Sequence, residues 1–83
     1  MNATRYFIEQ VLRKPPYLTL AICEAVVQDP LRREDQGDGR VRFWGPATLP
    51  NEHEPRILRV ITLADGITIH NAFPDRNFRE DAP

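Results

Sequence analysis

Hydrophobic spacing along the chain changes once, at Pro30. Before it, apolar residues recur at helical intervals; after it, they alternate with polar ones. Phe7, Ile8, Val11 and Leu12 fall on one helical face, and Thr4 supplies a side-chain oxygen suited to an N-cap, so a first helix is predicted over residues 5–13. Lys14-Pro15-Pro16 ends it, because successive prolines lack the N–H groups a helix needs. Thr19 is placed to cap a second helix over 20–28, apolar on most sides and therefore the central packing element, which stops at Asp29-Pro30.

Beyond Pro30 the period is two. Leu31 to Glu34 reads as a short strand, and Asp35-Gln36-Gly37-Asp38-Gly39 as a turn rich in residues that tolerate positive φ. Arg40-Val41-Arg42-Phe43-Trp44 alternates as a strand with one wet face does. Gly45 to Pro55, with three prolines, reads as an exposed loop. Arg56 to Ala64 is the most apolar strand, placed inside the sheet. Asp65-Gly66 signals a two-residue hairpin, after which Ile67 to Phe73 returns antiparallel. From Pro74 the chain is polar, with a flexible tail from about residue 79 that becomes disordered near Asp81. The expected fold is a single α+β domain over residues 1–83, with two N-terminal helices packed on one face of a four-stranded antiparallel sheet and the other face open.

Register decides which side chains share that open face. A two-residue turn at Asp65-Gly66 sets Thr62 against Ile69, Val60 against Asn71 and Leu58 against Phe73 on the core face. Asn71 is the one awkward member there. Arg59 then lies diagonally from His70 on the open face, within reach of long side chains. A three-residue loop would flip the pairing, set Arg59 against Asn71 and turn His70 away.

Composition narrows the chemistry. Eighty-three residues bury one core and leave no room for a deep enclosed cavity as well, so a site would sit on the sheet face or in a shallow groove. No stretch reaches the length of a membrane span and the N-terminus lacks a signal-peptide layout, which points to the cytoplasm. The Asn2-Ala3-Thr4 acceptor pattern then has no consequence. The lone Cys23, among Leu20, Ile22, Val26 and Val27, reads as a buried structural thiol. His53 and His70 are not at metal-ligand spacing, and no metal or cofactor is expected. The net charge of −1 gives no broad nucleic-acid footprint. Arginine nevertheless supplies all the basic residues but Lys14, and six arginines lie between Arg32 and Arg59. Guanidinium groups suit bidentate contact with phosphate or carboxylate.

In the favoured register Arg59, His70 and Arg76 are the candidate catalytic residues, and Arg40, Arg42 and Trp44 the candidate RNA contacts. Arginines hold phosphate oxygens and stabilise developing charge. A histidine with pKa near ~6.5 exchanges a proton at neutral pH. The 2′-hydroxyl of RNA supplies the nucleophile, so no metal is called for. Plainer readings stand beside each. His70 can be a half-exposed strand residue, Arg59 a cross-sheet ion-pair partner, and Arg40 and Arg42 a solvated hairpin face. Trp44 can cap the sheet edge, His53 can be surface only, and Asp75 can close the last strand in an Asx turn.

The segments "DPLRREDQGDGRVRFWG" and "RILRVITLADGITIHNAFPDRNF" resemble a group of small bacterial domains related to the RelE/ParE-like toxins, whose layout BrnT-type toxins share. The likeness spans roughly residues 5–78. It implies a toxin-like fold, frequently a ribonuclease acting on messenger RNA and silenced by an antitoxin partner. Basic and polar residues of the open face and C-terminus carry catalysis in such toxins, which places Arg59, His70 and Arg76 there. The chain departs from that pattern in its slight acidity, its single lysine and Thr4-Arg5-Tyr6 where relatives begin the first helix with histidine. Two other functions are consistent with the resemblance and the open sheet: a non-catalytic module binding a protein partner, itself included, through the open face or a strand edge, and inhibition of a gyrase-like complex.

Overall fold

A computed structural model describes residues 2–79. It is an α+β arrangement: one helix, α1 (Leu20–Gln28), packed on an antiparallel sheet of β1 (Arg32–Asp35), β2 (Val41–Ala47), β3 (Arg56–Thr62) and β4 (Ile69–Pro74) in sequential order. The tail expected to be disordered, residues 80–83, lies outside the described residues. No helix among the described residues is long and apolar enough to cross a membrane.

The N-terminal segment departs from the predicted helix. It contracts to a π-helical turn, Phe7–Val11, closed by the Leu12 amide donating to the Phe7 carbonyl five residues back at 3.0 Å. Thr4 caps the start, its Oγ1 accepting from the Phe7 amide at 3.1 Å. Phe7 is fully buried and Val11 and Leu12 pack half-buried against the core, while Ile8 is 48% exposed, so three of the four predicted apolar positions face inward.

Helix α1 is where the spacing puts it. Thr19 Oγ1 accepts from the Ile22 amide at 3.1 Å, and Cys23 and Val26 face inward. Val26 meets Gly45 of β2 so closely that a Cβ there would lie 3.3 Å from Val26 Cγ1. Opposite α1 the sheet contributes Val41, Phe43, Leu58, Val60, Ile69 and Ala72 to the core. Leu49, in the stretch read as an exposed loop, also enters it at 2% exposure. Strand β2 runs on through Gly45, Pro46 and Ala47 into residues read as loop. Pro46 is tolerated because it sits near the strand end, opposite Ile57.

The β3–β4 register is the main correction. Thr62 does oppose Ile69, as the hairpin signal predicts. The connection is longer than two residues, however: Leu63 N–H donates to Thr68 O, and Asp65 Oδ1 accepts from the Ile67 and Thr68 amides. A bulge between Ile61 and Thr62, with His70 as the extra residue of β4, then shifts all later pairs by one. Ile61 opposes Asn71, Val60 opposes Ala72 and Arg59 opposes Phe73. The physical reason is Asn71. Straight pairing would bury its amide in the core at a cost of roughly 1–3 kcal/mol. The bulge substitutes Ala72, 5% exposed, and turns Asn71 to the other face.

The two sheet edges differ. On the outer side of β4, Ile69 N–H donates to Asn2 O at 3.0 Å, and Ala72 N–H is taken by the side-chain oxygen of Asn71 at 2.9 Å. Pro74 has no N–H. Asp75 N–H points inward to Ile57 O, so these three residues are the outward-facing ones of an alternating ladder. Among the described residues strand β1 pairs with β2 alone, and it is short and charged.

Candidate functional site

The face of the sheet away from α1 carries Arg32 and Glu34 of β1, Arg42 and Trp44 of β2, Arg59 and Ile61 of β3, and Asn71 and Phe73 of β4. The C-terminal turn, 75–79, folds back over part of it. Asp75 Oδ2 accepts from Trp44 Nε1 at 2.9 Å and from Arg59 Nη2 at 3.0 Å, while Oδ1 accepts from the Asn77 amide at 3.0 Å and closes an Asx turn. The Arg59 guanidinium lies 5.3 Å from the Trp44 ring centre and 5.1 Å from that of Phe73. Phe78 stacks on Trp44, with centroids 5.7 Å apart and planes at 23°, and Arg32 lies 5.4 Å from the Phe78 centroid. Trp44 is therefore only 4% exposed, although it lies on the face expected to be open. Burial pushes the Asp75 carboxyl up. The bonds from Trp44, the Asn77 amide and Arg59, with the arginine's charge, outweigh that and hold it below its usual value.

His70 stands apart from this network. In the bulge, its Nδ1 lies 3.0 Å from Thr4 Oγ1 and its ring 5.1 Å from the Tyr6 ring. Burial, and then the positive charge of Arg40, lower its pKa, so the neutral ring is favoured at pH 7. The Thr4 hydroxyl serves either tautomer. It donates to Nδ1 when the proton is on Nε2, and accepts from Nδ1–H when Nε2 is the free base. Nε2 has no hydrogen-bond partner among the described residues.

The six residues singled out in the sequence thus separate into three places. Arg59 and Trp44 belong to the Asp75 network. His70 is three residues along β4 from Phe73, the partner of Arg59, or ~10 Å at the usual strand rise. The expected convergence of Arg59 and His70 does not form. The diagonal contact required straight pairing, and the bulge removed it. Arg76 is exposed; it lines a wide groove with Glu52, His53 and Arg56 and a smaller cleft with Asp75 and Phe78, and makes no contact with His70. Arg40 and Arg42 are half-buried, and neither guanidinium has an ion pair or hydrogen bond among the described residues. Arg42 sits in the cross-strand row Glu34–Arg42–Ile61–Asn71, beside the bulge.

Phe78 was not singled out by sequence reasoning; the signal was an aromatic two residues beyond a turn-forming Asp75-Arg76. Among the described residues no cluster of three or more His, Cys, Asp or Glu side chains could hold a metal ion. Cys23 is buried, and its thiol is pushed up to about 12. A cleft of about 400 Å³ lies between Tyr6, whose ring neighbours that of His70, and Pro16, Leu18 and Phe73. No protein-family model, curated protein or solved structure matches the chain.

Proposed function

We propose that the protein is a RelE/ParE-like endoribonuclease of a toxin–antitoxin pair, working in the cytoplasm, with its N-terminal turn and α1 as the counterpart of that family's paired helices. One observation carries the catalytic reading. A histidine kept neutral, with one ring nitrogen held by Thr4 and the other without a partner, lies in the field of Arg40; Arg40 and Arg42, the latter on β2 with β3 between it and β4, have no counter-ions among the described residues. In this reading Arg40 and Arg42 hold a phosphodiester, and His70 Nε2 takes the proton of the 2′-hydroxyl as that oxygen attacks phosphorus. The 5′-oxygen leaves with a proton from water. A bound phosphate also offsets the Arg40 charge and raises the histidine pKa, which favours its taking that proton. Arg59 moves from phosphate contact to positioning, since Asp75 neutralises it. Arg76, in the clefts lined by His53, Arg56 and Asp75, has no part in this reading.

Purified protein incubated with single-stranded RNA and a chelator, together with growth and RNA-end mapping on expression in a bacterial host, tests this. Cleavage by the parent and a loss of roughly 10²–10⁴-fold in His70→Ala are expected. No growth arrest and no new RNA ends from the parent refute it.

A second reading, a non-catalytic module that binds a protein partner by strand addition, is favoured by one feature: β1 is the edge whose outward N–H groups have no cover comparable to that of β4. A stoichiometric partner that copurifies with the parent, is lost on Arg33→Pro, and comes without any RNA effect selects it.

A further inference from the structure

Phe78 occupies a position with the chemistry of a nucleobase site. Its ring lies against the indole of Trp44 at a stacking angle, and a guanidinium, Arg32, lies within cation–π distance of the same ring. An aromatic platform with an arginine over the stacked ring is how single-stranded nucleic acids are held without sequence readout. The occupant belongs to a short turn whose hydrogen bonds to the sheet, among the described residues, all come from Asp75, by its side chain to Trp44 and Arg59 and by its amide to Ile57 O. Phe78 itself is only half-buried. Beneath it lies the chain's one tryptophan, on the same face as Arg42.

We propose that the surface beneath Phe78, made by Trp44 and Arg32, is a base-stacking subsite for single-stranded RNA that the protein's own C-terminal turn fills until RNA displaces it. The proposal rests on the RNA reading above. Phe78 is an internal competitor: RNA binds only the fraction of molecules whose turn has lifted, so apparent affinity falls by that fraction. The competitor and the ligand use the same stacking and cation–π contacts, so the exchange is nearly balanced. Removing Phe78 is expected to tighten binding about fivefold, equivalent to about 1 kcal/mol. Asp75 stays in place throughout, because it fixes the Trp44 ring through Nε1 rather than through Phe78.

The experiment is fluorescence anisotropy with a labelled mixed-sequence RNA heptamer, and with the same backbone carrying abasic sites, against the parent, Phe78→Ala and a chain ending at Asn77. Near-ultraviolet circular dichroism of Trp44 reports that each variant is folded. Tighter binding of the heptamer by both variants, absent with the abasic strand and accompanied by quenching of Trp44 fluorescence, is the expected result. Unchanged or weaker binding, or an equal gain on the abasic strand, overturns the subsite. The two ideas separate. A parent that cleaves RNA while Phe78→Ala gains nothing refutes the subsite alone. A gain for Phe78→Ala without cleavage by any variant supports the subsite and refutes the nuclease.

Discussion

Replacing Asp75 with alanine should destabilise the protein by about 3 kcal/mol. The Trp44 indole N–H loses its acceptor at a ring only 4% exposed, and stranding such a donor costs about 1–3 kcal/mol. Arg59 loses its counter-ion, but with 29% of its side chain exposed it regains water, so that part is worth about 0.5–1 kcal/mol. The Asx bond to the Asn77 amide adds about 0.5–1 kcal/mol. For a chain of this length the whole stability is about 4–12 kcal/mol, so the loss is a large share of it. Urea unfolding followed by Trp44 fluorescence should show the midpoint lowered by roughly 2–3 M, for a slope near ~1 kcal/mol per molar. The sign with pH is fixed by the lowered carboxyl pKa. The carboxylate's contribution is present above its usual value of 3.8 and is lost as pH falls through the folded-state value, so parent and Asp75→Ala converge in acid. In a Trp44→Phe background, which has no indole N–H to strand, the cost of Asp75→Ala should fall by about 1–2 kcal/mol. A single substitution within ~0.5 kcal/mol of the parent, or an undiminished cost in that background, would refute the account.

Three further outcomes follow from the packing and the titrating groups. Because His70 titrates below 6.5 in the fold, stability should drop as pH is lowered from 6.5 towards the folded pKa, and His70→Asn should remove that segment of the urea-midpoint profile; a parent profile flat there contradicts it. Gly45→Ala should cost about 1–2 kcal/mol by pressing a methyl against Val26, with part regained in a Val26→Ala background, as read by denaturant midpoints; additive losses would exclude the clash. Cys23 should resist a thiol reagent in the native protein and react once urea unfolds it, while native-state labelling at the rate of a free thiol would show the site to be open.

Much of the architecture was legible because single residues enforced it. Thr19 and Asp29-Pro30 bracket α1, and the change of period at Pro30 marks where the sheet begins. The N-terminal helix was over-extended because spacing alone cannot say that only Phe7 among the four apolar residues would be fully buried. Leu49 was hidden for the opposite reason: one apolar side chain between prolines has no period to detect, yet it completes the core. The candidate site suffered most, because it depends on register. Asn71 was the readable warning, a polar side chain at a position that straight pairing would bury. Its resolution by a bulge at His70 is a tertiary choice, made by weighing one irregular residue against one buried amide. Arg59 and Asp75 were each noticed as candidates for ordinary structural roles. Their pairing required the turn to fold back 16 residues along the chain, which no local pattern encodes.

The unequal edges of the sheet give it a valence of one. Along β4 the N–H groups of Ile69 and Ala72 are taken by Asn2 and by the side chain of Asn71, and Pro74 has none, so an incoming strand finds few donors there. Among the described residues β1 is the more receptive edge. A chain with two receptive edges can polymerise head to tail without limit, whereas one with a single edge stops at the first partner. Strand addition through this sheet therefore favours a pair over an open fibre, which would need a second receptive end from which to grow.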